Sequence, residues 1–141
     1  MVRLSFSLLA LCLLLIQVES VTKFVFTGKL VCDKPSFNYH MVLWEKDGSS
    51  GDDAMSNQGP KVSHDPHYYK ITGEQDGDEV FAFTYEVYMV IVHSCTHPEK
   101  PYRKLTVQLG EFPIMDGTNY KSVNITLTDQ GELTTDVIGF H

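Results

Sequence analysis

The run Glu86-Val87-Tyr88-Met89-Val90-Ile91-Val92-His93-Ser94-Cys95, then Thr96-His97-Pro98-Glu99-Lys100-Pro101, then Tyr102-Arg103-Lys104-Leu105-Thr106-Val107-Gln108-Leu109, reads as a buried strand, a proline-bounded turn and a returning strand. In the first strand Val87, Met89, Ile91, His93 and Cys95 share one face, and Tyr88, Val90 and Val92 share the other. Both faces are mostly apolar, which predicts an interior strand rather than an edge. In the returning strand Leu105, Val107 and Leu109 alternate with Lys104, Thr106 and Gln108, the pattern of a strand buried on one face.

Outward from this hairpin the same period recurs. From Thr22 to Cys32, Phe24, Phe26, Leu30 and Cys32 fall on one parity, with Gly28 as a bulge or a close backbone approach. Tyr39 to Lys46 holds the continuous apolar run Met41-Val42-Leu43-Trp44, buried on both faces or twisted across two neighbours. A polar, irregular loop is expected from Asp47 to about Pro66. Short strands follow at His67 to Gly73 and Val80 to Thr84. After the hairpin come a loop from Gly110 to Gly117 and a strand from Tyr120 to Thr128, with Val123, Ile125 and Leu127 inward and Asn124 outward. The tail beyond Gly131 is expected to fray. No stretch carries a sustained helical stripe. Seven short strands separated by turn signals predict one all-β domain, an antiparallel β-sandwich of immunoglobulin-like size with its core over about residues 24–128.

The chain has 141 residues and begins with a segment of another kind. Met1-Val2-Arg3 is basic, Leu4 to Ile16 is almost wholly apolar, and Val18-Glu19-Ser20 suits cleavage after Ser20. Residues 1–20 therefore read as a secretory signal peptide, with an uncleaved signal anchor as the alternative, and 21–141 as the mature domain. No later stretch is apolar enough to span a membrane. The formal net charge is −7, and loss of Arg3 and Glu19 with the signal leaves it unchanged. An acidic domain has no electrostatic footprint for nucleic acid. Lys100, Arg103 and Lys104 form the one obvious basic cluster.

Of three cysteines, Cys12 leaves with the signal, so Cys32 and Cys95 remain. In an oxidising compartment they predict one bridge, with two buried free thiols as the alternative. The chain-entropy model assigns such a long loop a stabilisation of about 3–5 kcal/mol.

Gly28-Lys29-Leu30-Val31-Cys32 with Lys34-Pro35, Val42-Leu43-Trp44-Glu45-Lys46-Asp47, Tyr69-Lys70-Ile71-Thr72-Gly73, His93-Ser94-Cys95 and Lys100-Pro101-Tyr102-Arg103-Lys104 together resemble the nematode transthyretin-like family of small secreted proteins. The resemblance runs from about Phe24 to Leu127, and His-x-Cys followed by Lys-Pro-x-Arg-Lys (with Tyr102 inside it) is its most specific part. It implies a transthyretin-like β-sandwich and an extracellular, non-enzymatic protein. Members commonly carry a further cysteine just before the Arg-Lys pair, and here Tyr102 or a neighbour stands in its place. Two arrangements stay open: a Cys32–Cys95 bridge across the sandwich, or one thiol left over.

Several groupings bear on chemistry. His93, Cys95 and His97 at alternate positions have the residue types of a zinc site, but the turn at Pro98 and the alternative partner Cys32 favour a hydrogen-bonded core histidine at 93. His64 and His67 read as a solvated loop pair. Asp47, Asp52 and Asp53 lack the spacing of a calcium loop and read as a solvated acidic loop. No metal or cofactor is expected. Trp44, lying mid-strand, reads as core. Asn124-Ile125-Thr126 is an N-glycosylation sequon on the outward face of its strand. By parity Lys104 is a surface charge, while Arg103 sits at the rim of the inward face in a structural pairing; contact with a receptor or anionic ligand is its functional alternative.

The expectation is a secreted protein that binds an extracellular or cell-surface protein or a lipid surface without catalysis, with Lys100, Arg103 and Lys104 as the candidate contact. A carrier of a small apolar ligand is the alternative. A hydrolase related to 5-hydroxyisourate hydrolase is weaker, because the C-terminal Tyr-Arg-Gly-Ser of that enzyme is missing from Asp136-Val137-Ile138-Gly139-Phe140-His141.

Overall fold

A computed structural model describes residues 20–48, 51–76 and 83–138. The signal segment over 1–19 and most of the strand expected at Val80 to Thr84 lie outside the described residues. Within them the chain is all-β: β1 (Val21–Val31), β2 (Ser36–Glu45), β3 (Asp53–His64), β4 (Tyr68–Asp76), β5 (Thr84–His93), β6 (Tyr102–Pro113), β7 (Gly117–Ser122), β8 (Ile125–Thr126) and β9 (Glu132–Thr134). Two sheets stack face to face. The smaller has the order β4-β1-β7, with β8 also on β1; the larger has the order β3-β2-β5-β6-β9. No described helix is long and apolar enough to cross a membrane.

Alternation builds the core. Phe24, Phe26 and Leu30 of β1 and Tyr69 and Ile71 of β4 face Met41 and Leu43 of β2 and Val87, Met89 and Ile91 of β5, all buried. Rings join the two layers at one end. Phe24 meets Tyr85 edge-on at 5.9 Å and Phe112 at 5.7 Å, and Phe26 meets Phe112 at 5.6 Å. Such pairs add roughly 0.5–1.5 kcal/mol each beyond the area they bury. Gly28 is a close approach rather than a bulge, since a Cβ there would run into the Val123 carbonyl.

Most strand pairs are antiparallel, but β7 and β8 run parallel to β1, from Thr22 opposite Gly117 to Val31 opposite Thr126. Parallel neighbours need a long crossover. Here the chain from β2 to β6, which makes most of the other sheet, supplies it.

Several boundaries differ from the sequence expectation. The single strand expected from Tyr120 to Thr128 is instead split, with β7 starting at Gly117 and β8 at Ile125, because its hydrogen bonding to β1 is interrupted between Ser122 and Ile125. The loop expected up to Pro66 contains β3, an edge strand on β2. Its ladder shifts between Tyr39 opposite Lys61 and Met41 opposite Gln58, which places Gly59 and Pro60 in the irregularity. Proline cannot donate to a ladder and is tolerated at an edge bulge. β6 runs on through Gly110, which has a φ of 112°, to Pro113. The tail expected to fray forms β9, paired with Tyr102 to Lys104 of β6.

Cys32 follows β1 and Cys95 follows β5, so their disulfide joins the two sheets, with Cα atoms 6.1 Å apart and a sequence separation of 63. It resolves the pairing left open by the missing third cysteine of the resembled family. A loop of this length corresponds to about 4 kcal/mol in the chain-entropy model. Guanidinium unfolding of the oxidised and reduced protein is expected to show a loss of that order on reduction.

Candidate binding groove

A two-layer sandwich asks for one apolar face per strand. β2 and β5 have two. With Met41 and Leu43 turned into the core, His40, Val42 and Trp44 face outward; with Val87, Met89 and Ile91 inward, Tyr88, Val90 and Val92 do the same. The register sets these side chains in rows. Trp44 lies opposite Tyr88, Val42 opposite Val90 and His40 opposite Val92, and β6 continues the rows with Thr106 beside Val90 and Lys104 beside Val92. Together with Ala54 and Asp136 they line a groove of about 670 Å³ on the outer face of the larger sheet.

At one end the Trp44 and Tyr88 rings stack, with centroids 6.4 Å apart and planes within 10°. Tyr88 donates its hydroxyl hydrogen to the Asp52 carboxylate. Burial, and then that carboxylate, push the phenol up to about 12, so it stays a neutral donor. At the other end Lys104 Nζ pairs with Asp136 Oδ2 at 2.8 Å. An apolar floor with an aromatic shelf and a few polar groups at the rim suits retention of an apolar molecule with a flat ring. A second, smaller hollow of about 460 Å³ lies on the other sheet between Lys23, Val25, Glu74 and Tyr120.

The structure separates the three cations of the sequence analysis. Lys100 is exposed on the turn, 5.7 Å above the Tyr102 ring. Arg103 lies at the inward rim and donates from Nη1 to the Gly131 carbonyl at 2.8 Å, a structural role with a backbone partner. Only Lys104 joins the groove. Trp44, expected in the core, is half-buried on the outer face. The signal for it was the unbroken apolar run of β2, which exceeds what one packed face needs.

The histidine groupings also come apart. His93 is fully buried, and its Nε2–H donates to the Gln130 carbonyl at 3.1 Å. Cys95 is in the disulfide. His97 points to solvent, with Nδ1 3.3 Å from Asp129 and Nε2 3.7 Å from Asp33. Cys32, Asp33 and Cys95 converge, but both sulfurs are bonded to each other, which leaves one carboxylate. His67, expected to be solvated, is buried: Nδ1 is 2.9 Å from Ser63 Oγ, Nε2 is 3.0 Å from the Lys34 carbonyl, and the ring packs on Phe37. His64 remains exposed. In the acidic loop Asp52 accepts from the Asp47 amide at 3.2 Å and Asp53 from Gln75 at 3.3 Å. Asn124 is exposed, as its parity requires.

The chain matches no model of a known protein family and no curated protein sequence. Its class rests on its architecture: an all-β sandwich closed by one disulfide, with an apolar groove on the outside of the larger sheet.

His93 makes stability depend on pH. Burial lowers its pKa from 6.5 to about 4 in the folded protein. Between those values the unfolded chain binds a proton that the folded one does not, so stability rises with pH across this window. It is fully present above about pH 6.5, and falls by on the order of 3 kcal/mol as the pH drops toward 4. His93→Gln keeps a donor for Gln130 and removes the titration. Thermal unfolding at about pH 7 and pH 4.5 is expected to show a smaller acid-induced drop in Tm for the variant than for the wild type.

Proposed function

We propose that this is a secreted, transthyretin-like protein that works outside the cell by binding rather than catalysis, and that its ligand is a small apolar molecule with a planar ring, held in the outer groove. The carrying observation is the outward row Val42, Trp44, Tyr88 and Val90, which the sandwich does not need for its own core. The groove volume falls within the range of small-molecule sites, about 300–1,000 Å³. The disulfide is compatible with an extracellular setting. The family resemblance supports the same setting and the non-enzymatic reading.

A protein partner on the same face is the second reading. Val137, which follows the groove residue Asp136, is 60% exposed and offers apolar surface for such a partner. The hydrolase reading is weaker: the inward His93 and Arg103 each commit a donor to a backbone carbonyl of the Gln130–Gly131 turn.

Trp44 is the single tryptophan and lies in the groove, so its emission reports on occupancy. Titration of the oxidised protein with 1-anilinonaphthalene-8-sulfonate is expected to quench Trp44 saturably. Val90→Glu puts a charge on the outer face without entering the core, and is expected to weaken that binding about tenfold or more, equivalent to about 1.4 kcal/mol. Unchanged Trp44 emission at high dye, or equal affinity of the variant, would remove the groove as the site.

A further inference from the structure

The sequon Asn124-Ile125-Thr126 lies where the β1 ladder passes from β7 to β8. The Val123 N–H donates to the Thr27 carbonyl at 2.8 Å, and regular pairing resumes with Ile125 opposite Leu30. Between them the N–H of Lys29 is met by a side chain: it donates to Asn124 Oδ1 at 2.9 Å. This bond fixes the oxygen end of the amide against β1. The other end, Nδ2, is the atom to which an N-linked sugar attaches. Ile125 is buried in the core at 4% exposure, which sets the parity, and Asn124 and Thr126 on either side of it are both exposed. The acceptor amide and the hydroxyl that completes the sequon therefore face the same solvent.

Among the described residues β7 and β8 lie outermost on their side of the smaller sheet. A strand edge with free backbone groups is a template for pairing with another chain. Lys121 and Ser122 are exposed along this one, and Tyr120 is 76% exposed. A bulky hydrated group at residue 124 would stand beside that edge.

We propose that Asn124 carries an N-linked glycan and that this glycan shields the β7–β8 edge from pairing with a second copy of the chain. The proposal rests on the secretion reading, because the sugar donor is met only in the secretory pathway. In the transfer a bond forms between Nδ2 and the anomeric carbon of a lipid-linked oligosaccharyl diphosphate. The bond from that carbon to the diphosphate oxygen breaks, the lipid diphosphate leaves with the electron pair, and Nδ2 gives up one proton. Oδ1 is untouched and keeps its hydrogen bond to Lys29.

The test uses the full chain made in secreting eukaryotic cells, with medium and cells analysed separately. The expected result is protein in the medium carrying a glycan on Asn124 that peptide N-glycosidase removes. The deglycosylated protein should shift from monomer toward dimer in light scattering at equal concentration. Thr126→Val removes the sequon and keeps the Asn124 amide, whereas Asn124→Asp removes it and keeps an oxygen for the Lys29 N–H. Both should reach the medium without the sugar and associate like the deglycosylated wild type. Wild-type protein in the medium with a bare Asn124 overturns the proposal and leaves secretion standing. A glycan whose removal leaves the protein monomeric overturns the shielding role. Chain retained in the cells, unprocessed and unglycosylated, overturns both this proposal and the secretion reading.

Discussion

The Cys32–Cys95 bond holds the end of β1 against the end of β5, and the polar contacts at that end of the sandwich are arranged around it. Lys34 Nζ donates to the Ser94 carbonyl at 3.1 Å, and Ser94 Oγ accepts from the Asn38 amide at 2.9 Å. The Asp129 amide donates to the Cys95 carbonyl at 3.0 Å, and Asp129 Oδ1 accepts from the His97 amide at 2.7 Å. His93 and Arg103 reach the next two residues of the same turn. One covalent link thus coincides with hydrogen bonds that fasten the β1–β2 connection, the β5–β6 turn and the approach to β9. The opposite end relies on aromatic packing among Phe24, Phe26, Tyr85 and Phe112. The sandwich is closed by chemistry at one end and by ring contacts at the other.

Where the fold was legible, period-2 alternation was the reason. Val87, Met89 and Ile91, Phe24 and Phe26, and Ile125 and Leu127 all lie in the core their parity assigned. The two-cysteine count found the disulfide. β3 was not legible because an edge strand is held by main-chain pairing to one neighbour and needs no apolar rhythm; Ser56, Gln58, Lys61 and Ser63 read as loop and still form a ladder on either side of Gly59 and Pro60. The parallel placement of β7 and β8 was not legible either, since direction follows from which sheet the chain returns to, not from local pattern. His67 was misread because nothing near it in sequence announces that Phe37 and the Lys34 carbonyl fold over it.

The candidate site was half legible. Most of its residues stand in β2 and β5, both apolar on two faces, but Trp44 reads as core because apolar strand residues are usually buried. The telling quantity was the surplus: two adjacent strands apolar on both faces, in a sandwich whose core uses one. The basic cluster was the opposite case. Lys100, Arg103 and Lys104 are close in sequence, yet a turn and an alternating strand send them to three environments, an exposed loop, the inner rim and the outer face.

The parallel pairing of β1 with the last strands has a consequence for the order in which the domain can be completed. β1 is the first strand of the domain and the central strand of its sheet, yet Thr22 waits for Gly117 and Leu30 for Ile125. Pairing between such distant segments is slow, because a long loop must close before any contact rewards it. During synthesis the Phe24–Phe26 face of β1 can acquire β4 on one side while its other side stays open until nearly the whole domain has emerged. That open side is an aggregation hazard for as long as it lasts. The first strand to emerge is therefore among the last to be paired on both sides, and its second side closes only when the final quarter of the sequence arrives.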